Sequence, residues 1–119
     1  MTARPKHAYI RSKHLMVAYR AIPCQHCGRD DGTVCGAHSN QGAHGKGKGI
    51  KADDHQAASL CHSCHMELDQ GRALSEMERL AMWRKAQAKT FQTLLARGLW
   101  PVEVPFPEID TSLLEQYQE

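Results

Sequence analysis

Two cysteine pairs stand out for their chemistry, Cys24-x2-Cys27 and Cys61-x2-Cys64. A pair at this spacing forms a tight knuckle that presents two thiolates to one metal. Two knuckles complete a tetrahedral zinc site with Zn–S bonds of about 2.3 Å. In so small a chain the metal would replace missing core, and its binding free energy would become folding free energy. His26 or His62 in place of one cysteine is the alternative donor set. A redox role is less favoured, because no βαβ pattern surrounds either pair. Cys35 is left over.

Histidine is the second dense element. Eight occur in 119 residues, and His38, His44, His55, His62 and His65 fall within one 28-residue window. An isolated histidine is ordinarily a surface or satisfied core residue, but a cluster beside a metal knuckle suits proton transfer and metal ligation. His65 directly follows Cys64, so a metal at the knuckle would fix it at the start of a helix. Between these histidines runs His44-Gly-Lys-Gly-Lys-Gly-Ile-Lys51. Glycines there let the backbone approach a phosphate chain, and Lys46, Lys48 and Lys51 can neutralise it. It is not a Walker loop, since Gly-x4-Gly-Lys-Ser/Thr is absent. Arg11 and Lys13 add further phosphate contacts, and lysines of this kind read no bases.

The elements that must position these groups can be read along the chain. His14–Ile22 reads as a short helix, with Leu15, Ala18, Tyr19 and Ile22 at i, i+3, i+4, i+7; Pro23 ends it. Thr33–His38 and Ala57–Leu60 read as two short strands, with Ser39–Lys51 as a long glycine-rich loop between them. Ser63–Gln70 reads as a helix stopped by Gly71. Ser75 and Glu78 form a capping box. It opens an amphipathic helix over 76–97, whose core stripe is Leu80, Trp83, Phe91, Leu94 and Leu95, with Gly98 as its C-terminal glycine. The expected organisation is a basic flexible arm (1–13), a single zinc domain (14–100) and a Pro-rich acidic tail (101–119) with a short helix near 112–118.

Composition narrows the class. Residues 1–51 hold nine Lys/Arg against Asp30 and Asp31, whereas 52–119 hold six against eleven acids. A basic half suits a polyanionic partner. No run of roughly 18 apolar residues exists for a membrane span, and no apolar stretch of signal-peptide type follows the start. Cysteines at metal spacing suit a reducing compartment, so the expected location is cytoplasmic.

The sequence resembles the HNH, or ββα-metal (His-Me finger), endonucleases. It is closest in pattern to the small prophage-encoded nucleases of the YbcO type. The pieces that carry the resemblance are Cys-x2-Cys, Ala37-His38, the glycine/lysine loop, Asp54 seven residues before Cys61, Cys61-His62-Ser63-Cys64-His65, and Leu68-Asp69. They cover about residues 22–72. The resemblance implies a small α+β, zinc-stapled ββα-metal domain with a long C-terminal flanking helix. It implies a metal-dependent DNA endonuclease of low sequence specificity, with His38 as general base. His65 and Asp54, then His44 and His55, would hold a catalytic divalent ion (Mg, Mn, Ni or Zn). Two positions depart from the family pattern. The residue before the base, often a metal ligand, is Ala37, and the residue five before Cys61, often Asn, is Gln56.

Two other classes stand beside this one. A non-catalytic four-cysteine zinc module that binds nucleic acid explains the knuckles and the basic half equally well. A protein–protein adaptor has only Trp100 and the acidic tail in its favour. DNA is the expected partner and a membrane is not. Cutting both strands would suit a homodimer, for which no interface is readable.

Overall fold

The computed structural model describes residues 10–38, 53–70 and 73–109. It is a small α+β fold: α1 (Lys13–Arg20), β1 (Cys35–His38), β2 (Ala57–Leu60), α2 (His62–Gln70) and α3 (Glu76–Ala96). His44, Lys46, Lys48, Lys51 and the helix expected near 112–118 lie outside the described residues.

Helix α1 begins one residue earlier than its apolar spacing indicates. The Ser12 hydroxyl caps it by accepting from the Leu15 N–H at 3.1 Å. It closes with the Ala21 N–H on the Ala18 carbonyl, just before Pro23. Leu15, Ala18, Tyr19 and Ile22 are all buried, as the periodicity predicts.

The two strands pair antiparallel, from Cys35 opposite Leu60 to His38 opposite Ala57. β2 matches its expected span. β1 starts two residues late because Thr33 is engaged elsewhere. Its N–H and hydroxyl both donate to Asp31 Oδ1, and its hydroxyl oxygen accepts from the His62 N–H at the head of α2. These bonds hold the Asp31 carboxyl below its usual range.

Gly36 lets β1 approach α1 closely. A Cβ there would lie 2.5 Å from the Tyr19 ring, and that ring is fully buried. Gly36→Ala is expected to destabilise the fold by about 1–3 kcal/mol, the usual cost of overpacking, read as a lowered thermal midpoint.

The backbone groups of Ser59 on the outer side of β2 are satisfied without a third strand. Its N–H donates to Thr90 Oγ1 at 2.9 Å, and its carbonyl accepts from the Gln25 N–H at 2.8 Å. Its hydroxyl donates to the Tyr19 carbonyl. Thr90 in turn donates to the Ala86 carbonyl within α3. Thr90→Val keeps the shape but leaves the Ser59 N–H without its acceptor. Its expected cost is about 1–3 kcal/mol, measured by denaturant unfolding.

Helix α3 carries the capping box that Ser75 and Glu78 indicate, with both reciprocal bonds formed. It is the spine of two apolar clusters. Met82, Trp83 and Ala86 pack with Ala37, Ala58, Leu60, Leu68 and the buried cysteines. Phe91 and Leu94 pack with α1, Ala57, Trp100 and Val104. Leu95, assigned to the core stripe by spacing, faces outward at 43% exposure.

The tail returns to the core over its first residues. Trp100 donates its indole N–H to the Val104 carbonyl, and Phe91 meets Trp100 and Phe106 edge to face at 5.0 and 5.1 Å. No helix among the described residues is long and apolar enough to cross a membrane.

Candidate metal centre and histidine pairs

The first knuckle lies between α1 and β1, and the second joins β2 to α2. Their four sulfurs, from Cys24, Cys27, Cys61 and Cys64, lie within 4.8 Å of one another. Tetrahedral zinc with 2.3 Å bonds places sulfurs about 3.8 Å apart, and Cys27 Sγ stands 3.6 Å from Cys61 Sγ. The cluster can hold a metal ion such as zinc. It uses all four cysteines, and His26 and His62 are exposed outside it.

The chain prepares this site for a cation. Burial opposes ionisation of Cys24, but N–H donors from Cys27, Cys61 and His26 outweigh it and bring its thiol down to about 6. The His26 and Cys27 N–H groups each reach Cys24 Sγ at 3.4 Å. Burial, with three sulfurs close by, pushes the Cys64 thiol up. A divalent cation among the four sulfurs reverses that penalty, because it favours thiolate over thiol.

His38 ends β1 and faces the turn before β2. Its Nε2 lies 4.0 Å from Asp54 Oδ1, with both side chains largely buried. Asp54 is held from several sides. Its Oδ2 accepts from the Ser12 N–H at 2.8 Å, and Arg11 stands 3.7 Å from Oδ1. Its carbonyl accepts the Tyr19 hydroxyl at 2.7 Å. Burial and then the Asp54 charge push the Tyr19 phenol up, so it stays a donor. Next to Asp54, Asp53 accepts the Ile10 N–H. His55 is half-buried in the same turn.

His65 lies on α2 at the other end of the hairpin. Its Nε2 is 3.4 Å from Asp69 Oδ2, one helical turn on, and its Nδ1 is 4.0 Å from Cys35 Sγ. Side chains alternate along a strand, so Cys35 and Ala37 take one face of β1 and Gly36 and His38 the other. The structure therefore places Cys35 beside His65, and Asp54 beside His38. Ala37 is fully buried, and its carbonyl accepts the Trp83 indole N–H at 2.9 Å. Gln56 is engaged by the Gln87 amide at 2.8 Å.

Among the described residues no second group of three or more His, Cys, Asp or Glu side chains converges as the cysteines do. The partners that sequence reasoning left unassigned are Asp69 and Cys35. Asp69 was accessible through its i,i+4 spacing from His65; Cys35 required the strand register. Lys13 and Arg11 are exposed beside the Asp54 turn. Comparison with protein-family models, with curated proteins and with solved structures returns no match.

Proposed function

We propose that the protein is a metal-dependent endonuclease of the HNH type, hydrolysing phosphodiester bonds in DNA around a structural zinc held by Cys24, Cys27, Cys61 and Cys64. The observation that supports this most is the His38–Asp54 pair at the end of β1. A histidine held beside a carboxylate is suited to general-base work, because the negative charge favours the imidazolium that forms.

In this reading His38 takes a proton from water as the water oxygen bonds to phosphorus. The bond from phosphorus to the bridging ester oxygen breaks, and that oxygen leaves with a proton from solvent. Asp54, fixed by the Ser12 N–H and Arg11, orients His38. A divalent ion, when bound, supplies charge stabilisation to the scissile phosphate and leaving oxygen. His65, with Asp69 beside its ring as carboxylates commonly are for ligating histidines, is suited to hold a metal ion, but it stands at the Cys35 end of β1, away from the His38 end.

The second reading, a non-catalytic zinc module that binds nucleic acid, is favoured by Ala37. The residue before His38 is an apolar core residue with no ligand atom to offer. Nicking of supercoiled plasmid with Mg, Mn, Ni or Zn added in turn separates the two. Metal-dependent conversion to nicked or linear plasmid supports the nuclease. Salt-sensitive binding with no cleavage under any metal supports the module.

A further inference from the structure

Helix α1 buries Leu15, Ala18 and Tyr19 in the core, and Met16 packs partly against it at the edge of a second face. The second face repeats at the same helical spacing: Lys13, Met16, Val17 and Arg20, at i, i+3, i+4 and i+7. Lys13 and Arg20 are exposed, Val17 is 61% exposed, and Met16 is half-buried. This face lines a cavity of about 610 Å³ whose other walls are Arg11, Ser12 and Asp54. Lys13 and Arg20 set two cations at the ends of an apolar floor of Met16 and Val17, while Arg11 stands 3.7 Å from the Asp54 carboxylate. The Asp54 wall connects the cavity to His38, whose ring Asp54 faces at 4.0 Å.

We infer that this groove along α1 binds the sugar–phosphate backbone of a nucleic acid strand, with Lys13 and Arg20 as its two ends. The inference rests on nucleic acid being the substrate. The rise from Lys13 to Arg20 is about 10.5 Å along the helix axis, enough for the two side chains to meet different phosphates of one strand. The cations pair with phosphates, and the aliphatic floor accepts the sugar face between them. The single carboxylate in the wall is offset, since Asp54 already receives the Ser12 N–H and faces Arg11. A strand seated here meets the Asp54 wall, whose carboxylate lies 4.0 Å from His38 Nε2. The contacts are to backbone alone and carry no base readout. Arg20 thereby joins Arg11 and Lys13 as a positioning residue.

Fluorescence anisotropy with labelled duplex and single-stranded oligonucleotides tests this, across a salt series and with no divalent metal added. Arg20→Ala is expected to weaken binding about five- to tenfold near 0.1 M salt. It should also lower the slope of log affinity against log salt by about one, the signature of one lost phosphate contact. Val17→Glu, a change at an exposed position, should weaken binding at least as much. Arg97→Ala, at the exposed far end of α3, should leave both readouts unchanged.

Wild-type affinity and slope in Arg20→Ala and Val17→Glu would overturn the groove, even if plasmid is still cut. Binding by poly-glutamate but not by either oligonucleotide would assign the groove to an acidic protein segment and also overturn it. Loss of binding in both variants upholds the groove, even if the wild type cuts nothing and the nuclease reading falls.

Discussion

His38→Ala is expected to lower metal-dependent plasmid nicking by about 10²- to 10⁴-fold, the usual contribution of a positioned general base. At about 1.36 kcal/mol per decade this is about 3–5 kcal/mol of transition-state stabilisation. The fold should survive the change. His38 is the last residue of β1, and that strand is anchored through the Trp83 indole on the Ala37 carbonyl and the close approach of Gly36 to Tyr19. Asp54 keeps the Ser12 N–H and Arg11 when the imidazole is gone. The variant should therefore retain its zinc content and melt within a few degrees of the wild type. Initial nicking rates, with metal analysis and a thermal scan on the same preparation, check all three. A wild-type rate in the variant would remove His38 from the chemistry.

Zinc removal should produce the largest structural effect. Apparent binding free energies of structural zinc run to about 10–16 kcal/mol in small zinc-finger peptides. The whole stability of a domain is about 5–15 kcal/mol. The two quantities are comparable, so stripping the metal should abolish cooperative unfolding rather than shift it. The reason lies in the connectivity. The cysteine cluster joins the segment between α1 and β1 to the junction of β2 and α2, and Cys24, Cys61 and Cys64 are also buried members of the core. Metal analysis should find one zinc per chain. Cys61→Ser should lose it together with the thermal transition, and Cys35→Ala, outside the four-sulfur cluster, should keep both. An unchanged melting curve after complete removal by chelator would show that the sulfurs pack as ordinary core.

Local signals in the sequence translated well into elements. The capping box at Ser75 and Glu78 placed the start of α3, and β2 matched its expected span, because both depend on a few adjacent residues. The cysteine spacing located the cluster because each knuckle is local and only their meeting is not. The site around His38 was less legible. Asp54 carried a weak signal as a metal ligand, yet its geometry is set by Ser12 and Arg11, more than 40 residues earlier in the chain. Strand alternation and register put Cys35 against His65 and Asp54 against His38. Trp83 and Tyr19 read as core by their apolar bulk. Their second roles, as donors to Ala37 and Asp54, depend on where their polar tips land, which periodicity does not encode.

The closed outer side of β2 constrains how copies of this chain can associate. An open strand edge is a template on which another polypeptide can pair, by domain exchange or by runaway stacking into fibrils. At Ser59 both outward backbone groups are already taken, one by a threonine hydroxyl of α3 and one by the amide of Gln25 in the first knuckle. A foreign strand would have to displace the Thr90 side chain of α3 and the first cysteine knuckle before forming its first bond there. Pairing of a second strand at Ser59 is therefore blocked.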